Sequence, residues 1–338
     1  MFYQFDEDQI NLSGKSILIT GGTGSFGQAF VRKVMNAYDV SRCIVFSRDE
    51  LKQYEMAQEF PVVTGGPIRF FIGDVRDAAR LELAMRGVDY VVHAAALKHV
   101  QTAEYNPFEA AKTNINGAEN VVTAAIRAGV RKVIALSTDK ACNPINLYGA
   151  TKLAADKIFI AGNNLSGSGG CSFSVVRYGN VIGSRGSVVP SFQKLIKEKA
   201  TELPITDFRM TRFWITLDQG INFVLSCLKL MQGGEIFIPK IPSMRITDLA
   251  QSMAPDLLQR EIGIRAGEKL HELMISEDDA RATVEFSDRY AILTPFLNLN
   301  MADYKNFGVK AVSKEFKYAS NLNDDWLSKE NFKSLLKM

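Results

Sequence analysis

A glycine-rich run between a short apolar stretch and an amphipathic stretch constrains this chain more than any other feature. Gly21, Gly24 and Gly27 follow the β-branched run Ser16–Thr20 and open the amphipathic stretch Phe26–Ala37. Glycine lets the backbone turn tightly and approach a ligand, and the amide groups at a helix start attract a pyrophosphate. In this strand-turn-helix context the spacing predicts a dinucleotide site, although glycine-rich turns without a ligand share the pattern.

The first half of the chain alternates short apolar runs with amphipathic stretches. Near-continuous apolar runs are typical of parallel strands covered on both faces. Such strands are predicted at Ser16–Thr20, Cys43–Ser47, Ile68–Gly73, Tyr90–Ala94, Lys132–Ser137 and Phe173–Arg177. Helices are predicted at Phe26–Ala37, Pro107–Ala128 and Tyr148–Asn163. The alternation predicts an α/β fold: a doubly wound parallel sheet of the Rossmann type with a smaller α/β lobe.

After Asn180 the pattern becomes irregular, because prolines interrupt the short helices. We expect residues 1–178 to form a dinucleotide-binding domain, with residues 215–240 returning to its sheet. Residues 179–214 and 241–297 are expected to form the smaller, substrate-binding lobe. The pattern assigns no role to residues 298–338.

Composition argues against several functional classes. The 338 residues carry 40 basic and 37 acidic side chains, a formal net charge of +3, which does not predict nucleic-acid binding. No apolar run approaches the ~20 residues of a membrane span, and the N-terminal residues lack the pattern of a secretory signal. We therefore expect a cytoplasmic protein that does not bind a membrane. The 4 cysteines and 3 histidines are scattered, which predicts free thiols and no metal site.

The residues after the second predicted strand bear on the choice of cofactor. An NAD site usually carries an acidic residue there, which binds the ribose hydroxyls. Ser47, Arg48 and Lys52 instead offer a hydroxyl and two cations, which suit the 2′-phosphate of NADP. Asp49 and Glu50 leave a ribose contact open as the alternative. The pattern favours NADP.

Other strand ends contribute to the same site. Asp74 and Val75 follow the third predicted strand and are placed to meet the adenine. Small side chains follow the fourth strand, where the backbone must pass beside the cofactor. The residues predicted from these patterns to bind it are Gly21, Thr23, Gly24, Ser25, Phe26, Gly27, Ser47, Arg48, Lys52, Asp74, Val75, Ala94, Ala95, Ala96, Tyr148 and Lys152.

Tyr148 and Lys152 predict acid–base chemistry beside that cofactor. They are four residues apart in a predicted helix and therefore share one face. A nearby ammonium, joined by the charge of an oxidised nicotinamide, favours phenolate and lowers the tyrosine pKa, which suits a general base for a substrate hydroxyl. Thr138, at a strand end, can bond the same oxygen. An isolated pair of this spacing is more often structural, but the glycine run upstream reverses that preference.

Asp139 and Lys140 predict a further step. Oxidation of a sugar at C4 acidifies the C5 hydrogen, because the resulting carbanion delocalises into the new carbonyl. A base that removes this proton and an acid that protonates the departing O6 would together eliminate water across C5 and C6. Asp139 and Lys140 are candidates for these two roles. A helix-capping aspartate beside an exposed lysine is the alternative.

Specific segments distributed over nearly the whole chain resemble a known family. These are TGGTGSFG (20–27), SRDELKQ (47–53), RFFIGDVRD (69–77), HAAALKHV (93–100), EYNPFEAAKTNI (104–115), ALSTDKACNPINLYGATK (135–152), VVRYGNVIGSRGSVVP (175–190), PITDFRMTRFWIT (204–216), GGEIFIPKIPSM (233–244) and IGIRAGEKLHE (262–272). The chain resembles the extended short-chain dehydrogenases/reductases. Within them it resembles the inverting UDP-N-acetylglucosamine 4,6-dehydratases of pseudaminic acid biosynthesis, whose sugars decorate flagellin, capsule or lipopolysaccharide.

The resemblance implies roles for individual residues. Thr138, Tyr148 and Lys152 match the reductase triad, and Asp139 and Lys140 match the dehydration pair, with Lys140 as the base at C5. It implies NADP that is tightly bound and recycled in each turnover, and a homo-oligomer, either a dimer or a hexamer. Asn114 joins the cofactor ligands. The implied ligands of the UDP-sugar substrate are Lys98, Asn180, Arg185, Ser187, Arg212, Arg245, Arg265 and Glu268.

Three alternatives stay open. Related membrane-anchored and capsule dehydratases also carry Asp-Lys but have Met where this chain has Tyr148, so Asp-Lys alone leaves a retaining dehydratase possible. A UDP-hexose 4-epimerase uses the same scaffold but needs no Asp-Lys pair. A non-catalytic NADP-sensing protein would be expected to lose Tyr148 or Lys152.

Overall fold

The structure, a computed structural model, describes residues 3–7, 9–184, 186–294, 297 and 299–336. The strands are β1 (Ser16–Thr20), β2 (Arg42–Ser47), β3 (Ile68–Ile72), β4 (Tyr90–His93), β5 (Lys132–Thr138), β6 (Ser172–Tyr178), β7 (Asn180–Val181), β8 (Glu202–Ile205), β9 (Thr211–Ile215), β10 (Glu235–Pro239), β11 (Ser243–Arg245), β12 (Leu258–Glu261), β13 (Leu273–Ile275), β14 (Thr283–Glu285), β15 (Arg289–Leu293), β16 (Lys310–Ala311) and β17 (Tyr318–Ala319). The α-helices are α1 (Ser25–Ala37), α2 (Glu50–Glu59), α3 (Ala78–Met85), α4 (Val100–Tyr105), α5 (Pro107–Ala111), α6 (Gly117–Ala128), α7 (Leu147–Ser166), α8 (Val188–Lys197), α9 (Leu217–Leu230), α10 (Ile246–Met253), α11 (Glu277–Ala280) and α12 (Lys329–Leu336).

A twisted sheet flanked by helices forms the main core. Its strands lie in the order β16-β14-β15-β10-β6-β5-β4-β1-β2-β3, and the run from β10 to β3 is parallel. The order β3-β2-β1-β4-β5-β6 is that of a doubly wound dinucleotide-binding fold, with the switch point between β1 and β4. The predicted fold class is confirmed, and the six predicted strands lie within one residue of the observed ones at each end.

Burial on both faces of the sheet explains why these strands are continuous apolar runs in the sequence. Every residue of β1 and β4 is buried, because helices cover both faces of the sheet. The predicted helix over residues 107–128 is a composite: α5 continues through a π-helical turn, Lys112–Asn116, into α6. Such turns often occur at functional sites, since they shift side chains relative to a regular helix.

The sheet extends into segments that the sequence pattern assigned elsewhere. β15 pairs antiparallel with β10, and β14 and β16 continue the sheet. Residues 283–293 therefore belong to the main sheet rather than to the lobe predicted for 241–297. All five residues of β15 are buried, which is the burial that a strand next to β10 requires. Tyr304, in the tail without an assigned role, is buried and its hydroxyl donates a hydrogen bond to Glu235 of β10.

A second core lies in a smaller lobe. Small sheets of β11-β9-β7 and β12-β8 pack with α8, α10 and α12. Trp214 of β9 is buried against Phe332 of α12, with ring centroids 5.9 Å apart, so the end of the chain completes this core. Across the described part of the chain, the helices are all too short or too polar to cross a bilayer.

Candidate active site

The segment that joins β1 to α1, Thr20–Gly27, here called the glycine turn, leaves no room for a side chain at Gly21 or at Gly27. Gly21 has φ +66°, and a Cβ there would lie 2.8 Å from the amide nitrogen of Ala95. A Cβ at Gly27 would lie 2.5 Å from backbone atoms of Gly22. Both distances are too short for real Cβ contacts. The glycines therefore let α1 start against β1 and against the Ala94–Ala96 segment.

No side chain of the described residues caps the amide groups at the start of α1. Gly24 is the N-cap and no side chain caps the helix, and the first turn contains no acidic residue. A helix N-terminus with free amide groups attracts an anion such as a pyrophosphate. Ser25 and Phe26 begin the helix, as the predicted contact requires. The glycine turn therefore fits a dinucleotide.

Residues at the end of β2 lie beside this turn. Thr23 donates a hydrogen bond of 3.0 Å to Ser47 Oγ, so the serine hydroxyl is held inside the protein. Arg48 is more than half exposed, and its guanidinium lies 3.7 Å from Asp74 Oδ2. Lys52 forms an ion pair with Asp49, the N-cap of α2. Two cations thus lie at this strand end, each within reach of an aspartate.

Asn114 organises the segment after β4. It lies in the π-helical turn, accepts a hydrogen bond of 2.9 Å from Leu97 N and donates one of 3.0 Å to Leu97 O. It also donates to Thr151 Oγ1 of α7 at 3.0 Å. Asn114 thereby connects the Ala94–Ala96 segment to the helix that carries the catalytic pair. Lys98, one residue farther along, is exposed.

A short 3₁₀ turn after β5, Thr138–Ala141, carries Asp139 and Lys140 and is here called the catalytic turn after the role predicted for them. Thr138 donates a hydrogen bond of 2.9 Å to Asp139 Oδ1, and Lys140 Nζ lies 3.0 Å from the same oxygen. The other oxygen, Oδ2, is buried without a hydrogen-bond partner among the described residues. Burial raises the pKa of Asp139, Lys140 opposes that effect, and the outcome is a raised pKa. A carboxyl with a raised pKa can hold a proton at neutral pH, as a general acid must.

Lys140 contacts a second carboxylate that the sequence analysis did not select. Its Nζ lies 3.2 Å from Glu272 Oε1, and the Glu272 side chain is only 2% exposed. Burial lowers the pKa of Lys140, but the charges of Asp139 and Glu272 outweigh burial and raise it. Lys140 is thus strongly basic and lies between two buried acids.

Tyr148 and Lys152 lie on α7 as predicted, and burial shifts the pKa of each. Burial raises the pKa of Tyr148 to about 12, opposed chiefly by the charge of Lys140 and by a hydrogen bond with Thr138. Lys152 donates a hydrogen bond of 2.7 Å to Leu136 O, and burial lowers its own pKa. Among the groups of this chain, the charge that most lowers the pKa of Tyr148 is that of Lys140 rather than that of Lys152. The joint effect of Lys152 and an oxidised nicotinamide stays a prediction.

Gly149 is a second residue that the sequence analysis missed. A Cβ at this position would overlap the carbonyl oxygen of Lys140, so only glycine lets α7 pack against the catalytic turn. Asn146 caps α7 by accepting a hydrogen bond of 2.7 Å from Gly149 N. The sequence signal was available, since a glycine between Tyr148 and Lys152 costs helix stability unless packing requires it.

The predicted substrate ligands fall into two groups. Arg212 is buried, and its donors are used internally by the carbonyls of Thr211, Leu270 and Lys269. The expectation that Arg212 binds UDP is therefore not supported, because its guanidinium is enclosed by the loop of residues 265–272. It also lies 3.5 Å from Glu268 and 3.7 Å from Glu272.

The other predicted ligands are accessible or lie at the edge of the site. Arg245 and Arg265 are exposed. Arg245 lines a cavity of about 320 Å³ together with Arg209, His271 and Trp326. The side chain of Glu268 is 28% exposed, and its Oε2 lacks a hydrogen-bond partner among the described residues. Asn180 and Ser187 are partly buried at the junction with the smaller lobe, and Arg185 lies outside the described residues.

Residues 17–294 match the family described as "Polysaccharide biosynthesis protein". This match spans the glycine turn, the catalytic turn and the 265–272 loop. The chain belongs to this family. Within the described residues, no group of three or more His, Cys, Asp or Glu side chains is arranged to hold a metal ion.

Two relatives of this chain align with it over almost its full length. A UDP-N-acetylglucosamine 4,6-dehydratase (inverting) from Campylobacter jejuni subsp. jejuni strain 81-176 is 56% identical over 331 residues, 96% of this chain and 98% of the relative. A UDP-glucose 4-epimerase from Rickettsia canadensis is 41% identical, with 95% of each chain covered.

Solved structures of other proteins share the architecture of this chain. Pen from Bacillus thuringiensis superimposes with a TM-score of 0.87 at 37% identity, over 97% of this chain and 98% of that one. A dTDP-glucose 4,6-dehydratase from Streptomyces venezuelae, solved with NAD bound, gives a TM-score of 0.66 at 25% identity, over 75% of this chain and 86% of that one.

Proposed function

We propose that this protein is a C5-inverting UDP-N-acetylglucosamine 4,6-dehydratase. The observation that carries the proposal is the catalytic turn, where the buried Asp139 and the partly buried Lys140 form an acid–base pair next to Tyr148. The 56% identity to the Campylobacter jejuni enzyme of that name supports the same substrate and the inverting outcome. The product is UDP-2-acetamido-2,6-dideoxy-β-L-arabino-hex-4-ulose, which fits a first step of pseudaminic acid-type sugar biosynthesis.

The cofactor belongs to the nicotinamide dinucleotides, and we propose NADP that is retained between turnovers. The close packing at Gly21 and Gly27 and the uncapped start of α1 fit its pyrophosphate. Arg48 and Lys52 are suited to the 2′-phosphate, while Asp74 and Val75 lie at the next strand end. When bound, the nicotinamide would supply the hydride chemistry, which is removal of hydride from C4 and its return to C6.

The residues of α7 and the end of β5 supply the first proton transfer. Tyr148 takes the proton of the C4 hydroxyl, and Thr138 orients the phenol through their hydrogen bond. Lys152 holds the segment around Leu136 and adds a positive charge beside the nicotinamide site. Because burial raises the pKa of Tyr148, the phenolate needs the charge of Lys140 and of an oxidised nicotinamide to form.

Asp139 and Lys140 supply the elimination. The charges of Asp139 and Glu272 favour the ammonium form of Lys140 during C4 oxidation, and its proton then moves to Asp139, which leaves an amine on Lys140 and a protonated carboxyl on Asp139. The amine takes the C5 proton as electrons move into the C4 carbonyl, and Asp139 gives its proton to the departing O6 hydroxyl, which leaves as water. Once hydride is on C6, a solvent proton adds to C5 on the face opposite Lys140, and the ammonium of Lys140 returns its proton to the Asp139 carboxylate. Tyr148 releases its acquired proton to solvent, so the cycle balances.

The smaller lobe would hold the UDP moiety. Arg245 and Arg265 can bind the diphosphate and Glu268 the ribose, with further contacts from Lys98, Asn180, Ser187 and Arg185. We place the domain boundary near residue 178, with residues 215–240 and 283–293 in the main sheet. A homo-oligomer and a cytoplasmic location stay predictions of the sequence analysis.

Proton NMR of UDP-N-acetylglucosamine with the purified protein in D₂O tests this proposal. The expected result is a new C6 methyl signal, deuterium at C5 and L-arabino couplings, formed without added cofactor. D-xylo couplings would overturn the inversion and keep the dehydratase. A galacto-configured product without a methyl signal would instead establish the epimerase activity named for the Rickettsia canadensis relative. No reaction with NADP added would refute the substrate.

A further inference from the structure

Glu272 is a buried titratable group in contact with the catalytic turn that the proposed reaction has not yet used. Lys140 Nζ lies between Asp139 Oδ1 at 3.0 Å and Glu272 Oε1 at 3.2 Å. The second oxygen of each carboxylate, Asp139 Oδ2 and Glu272 Oε2, is buried without a hydrogen-bond partner in the part of the chain that the structure describes. Lys140 is therefore held at two points, and neither carboxylate is fully satisfied by the protein.

Hydrogen bonds hold the backbone around Glu272 in place from two sides: from Ser320, and from the segment that contains Cys142 and Asn146. Glu272 N donates to Ser320 Oγ at 2.9 Å, and Ser320 N donates to Glu272 O at 2.8 Å. On the other side, Lys269 Nζ donates to Cys142 O at 2.6 Å, and Asn146 Nδ2 donates to Gly267 O at 2.7 Å. The 265–272 loop is thus attached to the segment that directly follows the catalytic turn. Glu272 reaches Lys140 from a defined position.

The charges around Glu272 separate its behaviour from that of Asp139. Burial acts to raise the pKa of Glu272, but Lys140, Arg212 and Lys269 outweigh it and the pKa is lowered. The pKa of Asp139 is raised, in part by the charge of Glu272. Two carboxyls whose environments move their pKa values in opposite directions have different roles: one exchanges protons and the other remains a fixed negative charge.

We propose that Glu272 is a positioning residue for the dehydration step, which holds Lys140 Nζ toward C5 and stabilises the ammonium that forms there. The inference rests on the proposed function. As the C5–H bond breaks and the N–H bond forms, positive charge develops on Nζ, 3.2 Å from the Glu272 carboxylate. Relative to the amine form of Lys140 that reacts, a fixed negative charge at that distance lowers the barrier to this proton transfer, because it interacts more strongly with the ammonium than with the amine. C4 oxidation does not develop charge on Nζ, so Glu272 should contribute little to it.

Glu272→Gln tests this assignment, since it removes the charge and keeps the shape. The assays are deuterium incorporation at C5, C6 methyl formation and the absorbance of the reduced nicotinamide, all with UDP-N-acetylglucosamine and NADP. We expect C5 exchange and methyl formation to fall roughly tenfold to hundredfold. Reduced nicotinamide should accumulate, and KM should change by less than about twofold. Glu277→Gln, an exposed carboxylate paired with Lys317 at 2.7 Å, is the matched control and should behave like the wild type.

Glu272→Asp provides the second variant, because it retains the charge one methylene farther from Nζ. It should recover part of the C5 exchange lost in Glu272→Gln. The inference is overturned if Glu272→Gln exchanges C5 at the wild-type rate, if nicotinamide reduction falls as much as C5 exchange, or if the aspartate variant is no faster than the glutamine variant. A wild-type protein that forms no methyl product would instead refute the proposed function, and the inference with it.

Discussion

The glycine turn and the catalytic turn both follow parallel strands of the main sheet, yet different interactions determine their shapes. In the glycine turn, backbone contacts decide the geometry: Gly27 would clash with Gly22 if it carried a Cβ. In the catalytic turn, charged side chains decide it, since Lys140 is held between Asp139 and Glu272. The glycine turn keeps its shape because its glycines carry no side chains. The catalytic turn depends on a cluster of charged side chains, to which the distant residue Glu272 belongs. Substitutions should therefore damage the two regions in different ways.

Lys140→Ala should have the largest effect on chemistry. It removes the base of the elimination, and we expect methyl formation to fall roughly 10²–10⁴-fold while nucleotide binding is largely kept. The measurement is product formation by proton NMR beside nucleotide affinity by calorimetry. Lys112→Ala, which removes an exposed lysine paired with Glu109, is the control. Methyl formation at the wild-type rate in Lys140→Ala would show that another group removes the C5 proton.

Gly27→Ala should break the glycine turn through its backbone. The added methyl group meets Gly22 at 2.5 Å, which should cost about 1–3 kcal/mol of unfolding free energy and weaken dinucleotide binding. Chemical denaturation and cofactor titration measure the two effects. Gly220→Ala in α9 is the matched control, because a Cβ there meets nothing within 4 Å, and it should not destabilise the protein. Equal stability of both variants would contradict the packing argument.

Arg48→Gln should sharpen the assignment of the cofactor. If Arg48 binds a 2′-phosphate, its loss should weaken NADP binding roughly tenfold and leave NAD binding nearly unchanged. Arg32→Gln, an exposed change at an ion pair with Glu59, serves as the control. Unchanged preference for NADP in Arg48→Gln would transfer the role to Lys52 or remove it from this strand end.

The smallest effect is expected from the pH dependence of the region beneath the glycine turn. His93 Nδ1 lies 2.8 Å from Thr20 Oγ1, and burial lowers the pKa of His93 to about 3 from an ordinary value of 6.5. Below about pH 6.5, His93 therefore binds a proton in the unfolded chain but not in the folded chain. The free energy of unfolding decreases as the pH falls below this value. Between pH 7.5 and pH 5.5 this decrease should amount to about 1.4 kcal/mol. Denaturation at the two pH values, compared with His93→Gln, measures it; an equal pH dependence in the variant would assign the effect to other groups.

Most of the fold could be predicted from the chain itself. The six strands of the parallel sheet are continuous apolar runs, and α1 and α7 begin near the predicted residues, because burial on both faces leaves a local signal. β14 and β16 were missed, since short strands in an antiparallel edge carry little pattern of their own. The role of the tail was missed for the same reason: Phe332 and Tyr304 are defined by the cores that they complete.

The features of the candidate site also fall into those that the sequence predicted and those that only the folded chain defines. The glycine spacing, Asp139 and Lys140, and the Tyr148–Lys152 pair are contained within short segments, so the sequence by itself determined which chemistry was available. Whether a neighbouring charge acts depends on distances that only the folded chain defines. Tertiary structure decided that Lys152 is bonded to Leu136 O, that Arg212 is enclosed by the 265–272 loop, and that Glu272 reaches Lys140. The steric constraint at Gly27 comes from a near neighbour in the chain, Gly22, whereas the energies of buried charges depend on every group packed around them.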